Sequence, residues 1–253
     1  MDKKDTSWES VAPWYDNLLE GDKDSYQRRV ILPNLLRIVD ASKPARIIDL
    51  ACGQGFFTAL LAKEGREVVG VDLSPLLIKV AAERHREKKK LSFIVAPAHA
   101  VPLPDAFADV ITVVLAIQNI KNLSETIKET SRLLKEKGKL IFILSHPAFR
   151  IPQKTFWEFD EKKDIQFRRV TEYLSESAAV IEMTPGKKGG PTTESFHRPL
   201  QVYSKVLANN DFAIARIEEW ISHKKSEKGP RQIAEDKARK EIPLFMMIEA
   251  LRV

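Results

Sequence analysis

At 253 residues, with 43% apolar residues and a formal charge of +6, the chain suits one large α/β domain with a sizeable core, not a disordered or strongly polyanion-binding protein. The bases at residues 84–90 have no aromatics among them, so they read as a solvated helix end rather than a nucleic-acid patch. A lone cysteine, Cys52, excludes an internal disulfide, no apolar run approaches membrane-spanning length, and the charged start at residues 1–5 has no apolar signal region behind it, so a cytoplasmic enzyme is expected.

Residues 1–40 read as two helices. Trp14, Tyr15, Leu18 and Leu19 give the first an apolar face, and Val30, Ile31, Leu35, Leu36 and Ile38 do so for the second. Both are placed to pack over a ligand opening. Residues 46–50 follow as a buried strand containing Asp49, then a turn with Gly53 and Gly55, then a helix that Gly65 ends. A second strand, 67–71, runs into Asp72. Ser74 and Pro75 form a helix start, with Ser74 as the cap and Pro75 in the first helical position. That helix extends toward the lysines at 88–90.

Strands at 91–96 and 108–115 come next, then a helix over 124–137 stopped by Gly138, then a fifth strand over 139–144. Alternation of this kind predicts a parallel sheet with helices on both faces. The pattern breaks over residues 145–199, which hold prolines, a glycine-rich stretch at 185–191 and clustered aromatics. So long an interruption signals a lid or substrate-binding element. A helix over 200–209 and strands over 212–218 and 244–251 close the chain, with a polar helix or loop between the strands. The expected plan is one domain over 1–253. It has a helical cap (1–40), a cofactor core (41–145), a lid (146–199) and a closing helix with a strand pair (200–253).

Two adjacent strands that each end in an acid, joined by a glycine turn, make a site for a ribose-bearing cofactor. The glycines let the backbone approach a ligand. A nicotinamide site is the rival, but Thr58 stands where that pattern has its third glycine, and that pattern asks for no acid ahead of the turn.

Four segments, in order, carry a resemblance to a known family. They are 48–55 with the glycine turn, 70–74 with Asp72, 101–110, and 132–140. Together they resemble the class I S-adenosylmethionine (SAM)-dependent methyltransferases, in particular the type 11 small-molecule group that includes the ubiquinone/menaquinone methyltransferases. The resemblance implies a Rossmann-like, seven-stranded, mostly parallel sheet with helices on both faces and the last strand antiparallel. It implies SAM as cofactor, S-adenosylhomocysteine as product, and a small-molecule acceptor. Nucleic acid is not an expected partner, and the oligomeric state is left open. Asp49 would lie near the methionine amine of SAM, with Ala51, Gly53, Gln54 and Gly55 close to the methionine end. Asp72 would accept from both ribose hydroxyls, and Leu73 would pack on adenine. Gln118 would face the methionine part, and Tyr15, on the segment that resembles the family's entry helix, is a further cofactor-binding candidate. Many relatives carry an acid after strand three for the adenine amine; here Pro97 stands there, leaving backbone near Ala98, or His99, for that contact.

His146 follows strand five and His197 precedes the helix at 200. Either could be a general base, since imidazole titrates near neutrality, or a hydrogen-bonded structural group. Asn119 could orient a substrate or cap a helix. Phe149, Trp157, Arg198 and Tyr203 are substrate-pocket candidates or packing residues. Cys52 reads as a buried, inert thiol. No cluster has metal-ligand spacing, so no metal is expected. Two further readings are a methyltransferase acting on nucleic acid or protein, and a SAM-binding protein that transfers no methyl.

Overall fold

The apolar runs form strands β1 (Arg46–Leu50), β2 (Glu67–Asp72), β3 (Leu91–Val95), β4 (Ala108–Val114) and β5 (Leu134–Ser145) in a computed structural model that describes residues 22–39, 45–62, 66–182 and 192–253. Two hairpins follow, β6 (Thr155–Asp160) with β7 (Ile165–Val170) and β8 (Ser177–Glu182) with β9 (Thr192–His197). The last strands are β10 (Phe212–Trp220) and β11 (Phe245–Arg252). Seven strands join one sheet in the order β10-β11-β5-β4-β1-β2-β3. Pairing is parallel from β3 across to β5, and β11 runs antiparallel to both β5 and β10. The expected sheet, with its last strand antiparallel, is the one observed.

Both faces are covered, so successive residues of the central strands are buried on opposite sides. Ile48, Val69, Ile111, Phe142 and Ile248 face one apolar cluster, and Ile47, Val68, Val110, Ile141 and Met247 face the other. Helices α1 (Leu32–Val39), α2 (Phe56–Leu61), α3 (Pro75–Arg84), α4 (Leu123–Leu133), α5 (Leu200–Ala208) and α6 (Gln232–Glu241) surround the sheet. Among the described residues no helix is long and apolar enough to cross a membrane.

Ser74 caps α3 as expected, its Oγ accepting the Leu77 N–H at 3.3 Å with Pro75 at the first helical position. The helix over 124–137 is shorter than its pattern. Strand β5 takes over at Leu134, because Leu134 pairs with Ala108 of β4. Residues 101–110 and 132–140, two of the segments behind the family resemblance, are stitched together here. Arg132 donates to the Leu103 carbonyl at 2.9 Å, the Val101 carbonyl at 3.0 Å and the Asp105 carboxylate at 2.6 Å. Glu129 accepts the Val101 N–H at 2.7 Å. Their role is to fix the approach to β4 and β5.

The first expected N-terminal helix, with Tyr15, lies outside the described residues. The second is present. Val30, Ile31, Leu35 and Ile38 pack into the cluster around Ile47, Phe57 and Phe245 on one sheet face. The stretch expected as a lid or substrate-binding element forms the two hairpins, and because Ile165, Phe167 and Val180 are exposed on them, no inward–outward alternation marked these strands in the sequence.

Candidate active site

The acids that ended two apolar runs converge at the carboxyl edge of the sheet, where ligands of open α/β folds bind. Asp49 is buried, with 2% of its surface exposed. One carboxylate oxygen accepts the Thr58 hydroxyl at 2.6 Å, and the other accepts Thr112 at 2.9 Å. Thr58, the residue that departs from the nicotinamide pattern, thus holds Asp49 in place. Burial pushes the Asp49 carboxyl from its ordinary 3.8 up to about 6, against the pull of the two hydroxyls. Ionising it costs roughly 3 kcal/mol more than in water, and a cation arriving beside it recovers that cost.

Asp72 is held by backbone. Its two oxygens accept the N–H groups of Gly53 and Ser74, each at 2.9 Å. Burial raises its pKa while those bonds lower it. Between the two acids the chain turns sharply. Ala51, Gly53 and Gly55 all have positive φ, at 57°, 57° and 80°. A side chain on Gly55 would sit 2.8 Å from the Phe93 ring. Ala51 holds a conformation unusual for a residue with a side chain, and Leu115, after β4, does so too (φ 54°). Strain of this kind gathers at ligand sites.

These elements enclose a cavity of about 440 Å³, the size of a cofactor pocket. Asp49, Ala51, Gly53, Gln54, Asp72, Leu73, Ala98, His99 and Asn119 all line it. Gln54 is 1% exposed, and both polar atoms of its amide lack a protein partner. A buried amide left unpaired is costly, so this one fits a ligand group in the cavity. Cys52 also lines the space; burial and the two acids push its thiol up, so it stays protonated.

Other expected site residues fall elsewhere. Gly55 does not line the cavity, because its open backbone is spent on the turn and on Phe93. Gln118 lies just outside, with its Nε2 donating to the Leu115 carbonyl at 2.8 Å and its Oε1 buried without a protein partner. His146 is buried off the cavity. Its Nδ1 accepts the Ala148 and Phe149 N–H groups at 3.2 and 3.3 Å, and its Nε2 meets Glu219 at 2.6 Å. Both nitrogens are engaged, and burial lowers its pKa, which favours the structural reading of this histidine. His197 is buried too, its Nε2 bonded to the Tyr173 carbonyl at 2.7 Å.

The substrate-pocket candidates divide likewise. Arg198 is buried and donates to the Ile120 and Lys121 carbonyls, each at 2.9 Å. It therefore positions the loop that lines the cavity without lining it. Tyr203 is core, packed on Phe142 at 5.8 Å. Phe149 packs on the His146 ring, and Trp157 lies under the Arg168 guanidinium. Sequence reasoning missed Lys121, Asn122 and Glu194. Lys121 and Asn122 lie within reach of the motif at 118–119, but Glu194 arrives on β9 from a hairpin with no motif of its own. Among the described residues no group of His, Cys, Asp or Glu is arranged for a metal.

The methyltransferase-domain family model matches residues 48–142, which contain both acids, the glycine turn and the loop after β4. The chain is 34% identical over 104 residues to a ubiquinone/menaquinone biosynthesis C-methyltransferase of Pectobacterium carotovorum, covering 39% of this chain and 41% of that protein. It is 28% identical over 141 residues to a demethylmenaquinone methyltransferase of Thermotoga maritima, covering 54% of this chain and 58% of that one. The matched stretch thus spans about two fifths to three fifths of these curated relatives. In fold, the chain is similar to an S-adenosylmethionine-dependent methyltransferase of Mesorhizobium loti, with a TM-score of 0.70 at 22% identity, covering 92% of this chain and all of that one. Residues 48–142 thus match a methyltransferase domain, and the fold is similar to that of S-adenosylmethionine-dependent methyltransferases.

Proposed function

We propose that the protein transfers a methyl group from SAM to a small-molecule acceptor by in-line displacement. The observation that carries this reading is the charge pattern of the cavity. A buried carboxylate poised for a cation (Asp49), an unpaired amide (Gln54) and a backbone-held carboxylate (Asp72) all line it. An ammonium would satisfy Asp49, a methionine carboxylate or amine would satisfy Gln54, and a pair of hydroxyls would satisfy Asp72. Leu73 and Ala98 offer apolar contact for a base between them. When bound, SAM supplies an electrophilic methyl on a sulfonium.

The protein's own work is then mainly positioning and water exclusion. Arg198 fixes the loop at 117–121, and the β8–β9 hairpin brings Glu194 to the cavity. With His146 and His197 engaged elsewhere, a proton leaving a hydroxyl or amine acceptor would pass to Glu194 or His99 at the cavity wall. An acceptor that is already a carbanion or thiolate would need neither. Among the described residues Lys121 is the one lysine or arginine lining the cavity, which supports a small molecule over nucleic acid.

Calorimetry with S-adenosylhomocysteine tests the base of the reading, and transfer of an isotopically labelled methyl into a metabolite extract tests the rest. Binding without any labelled product across a broad extract would favour the silent SAM-binding reading.

A further inference from the structure

We infer that Lys121, with Asn122 beside it, reads a carboxylate on the methyl acceptor, so that the acceptor is a small organic acid; the assignment to the acceptor rests on the transferase reading. Lys121 stands on the loop that leaves β4, past the 3-10 turn Ile117–Asn119 and just before α4. Residues 119–122 all line the cavity. They belong to the β4 side of Asp49, whereas Asp72 belongs to the β2 side, because β1 stands between β4 and β2 in the sheet. Arg198, itself buried, fixes this loop. Its guanidinium donates to the Ile117 carbonyl at 3.5 Å and to the Ile120 and Lys121 carbonyls at 2.9 Å each. The Leu123 N–H shares the Lys121 carbonyl at 3.1 Å. The Lys121 backbone is thus held at the cavity wall by a buried group.

Its side chain is exposed and, among the described residues, makes no hydrogen bond or ion pair. Three carboxylates line the same cavity, those of Asp49, Asp72 and Glu194, and Lys121 is the one lysine or arginine that faces them. An anionic acceptor entering here would be repelled by all three acids, and Lys121 is the group that offsets the repulsion. Asn122 makes no side-chain cap bond to α4, so its amide can donate to the same anion. One ammonium is a point charge that balances one negative charge, which suits a carboxylate better than a phosphate dianion. Glu194 enters from β9, which packs on the turn Ile117–Asn119. It turns the anionic end of the acceptor away from the hairpin and toward the loop.

The donor has other partners. On the proposed reading Asp49 and Gln54 take its amino-acid end and Asp72 takes its ribose, which leaves Lys121 to the acceptor. The wall leading to Lys121 carries Leu115, Ala116 and Ile120. The acceptor class that fits is therefore a small carboxylic acid with an apolar body against these residues.

Calorimetry on the whole chain saturated with S-adenosylhomocysteine is the first test, with benzoate and its neutral counterpart benzamide as probes. Benzoate should bind about fivefold more tightly, the strength of one ion pair open to water. Lys121→Gln should erase that preference, and Lys121→Arg should keep most of it. Equal affinities in the wild type, or a preference that survives Lys121→Gln, would overturn the site. The side chain is exposed and unpaired, so Lys121→Gln should shift the melting temperature by no more than about 2 °C. S-adenosylhomocysteine affinity should stay within about twofold. A loss of about tenfold would place Lys121 at the donor's carboxylate and overturn the acceptor assignment. The second test is the labelled-methyl assay. The product should be retained on an anion exchanger, and Lys121→Gln should raise the KM for its acceptor about fivefold with kcat little changed. A neutral product or an unchanged KM would overturn the inference. A wild type that fails to bind S-adenosylhomocysteine would sink the transferase reading, while the benzoate comparison on the unliganded chain still decides whether Lys121 holds a carboxylate.

Discussion

The carboxyl edge of the sheet is built differently on its two sides. From β3 to β4, nearly every side chain that meets the cavity sits within a few residues of a strand end: Asp49, Gly53, Gln54, Asp72, Leu73, Ala98 and Leu115. Beyond β5, the polar groups come from the second hairpin, far along the chain: Glu194 on β9 lines the cavity, and Arg198 just after β9 holds the loop at 120–121. The first side is a local design that a sequence motif records. The second is assembled by topology. A donor shared by a family suits a fixed local frame, whereas an acceptor that differs between relatives suits parts that vary independently.

The sharpest way to break this contrast is Asp72→Ala. On the proposed reading the substitution removes two charge-assisted contacts to the ribose, and it strands the N–H groups of Gly53 and Ser74. Hydrogen bonds to charged groups contribute about 1.5–3 kcal/mol each, so S-adenosylhomocysteine affinity should fall by about 100-fold or more. Calorimetry reads this directly. Affinity within a fewfold of the wild type would mean the local frame does not hold the ligand.

Asp49 gives the next largest effect, through pH. Its carboxyl titrates at about 6 in the free protein, and a ligand ammonium needs it ionised. Affinity for S-adenosylhomocysteine should therefore be flat above pH 7 and fall by up to about tenfold per unit below about 6. Binding near pH 6 should release a proton, and the Asp49→Asn profile should be flat. In stability the sign is opposite. With its folded pKa raised, Asp49 contributes stability that is fully present below 3.8 and lost as pH rises through about 6. Titration curves that coincide for wild type and Asp49→Asn would remove Asp49 from ligand contact.

The same contrast explains what was legible in the sequence. The strands and the cap at Ser74 were readable because apolar runs and capping chemistry are local signals, as were the acids Asp49 and Asp72 beside the glycine turn. The antiparallel last strand and Gln54 entered through the family resemblance. His146 was left between base and structural group because its position after β5 is that of a catalytic loop, while its partner Glu219 lies 73 residues on. Tyr203 was left between pocket and packing because an aromatic on an amphipathic helix looks alike whether it faces a pocket or Phe142. Arg198 and Glu194 depend on a hairpin whose alternation is blurred by polar residues on both faces, so nothing local told where either would point.

His146 makes the third prediction, at the level of stability. Its Nδ1 holds two backbone N–H groups of the turn after β5. His146→Ala leaves both unsatisfied and opens a gap beside Phe149, which should cost about 1–3 kcal/mol. His146→Asn offers an oxygen near the Nδ1 position and should recover part of that. Neither variant should alter the pH dependence of methyl transfer once folded. A profile that loses a limb in both variants would return His146 to the chemistry and place a base on the topologically assembled side.

Glu194 carries the smallest effect and the finest test of where the two sides meet. It lines the cavity from β9, but it is solvent-exposed and has no hydrogen bond or ion pair among the described residues. An exposed charge acts on a cationic ligand through screened attraction, about 0.5 kcal/mol. Glu194→Gln should therefore weaken SAM binding about twofold at low salt and leave it unchanged at high salt, where the Debye length shrinks below the gap. A tenfold loss that persists at high salt would mean the hairpin closes until the carboxylate touches the ligand. The hairpin would then belong to the donor site as well as the acceptor side, and donor binding would order the part of the molecule that receives the methyl group.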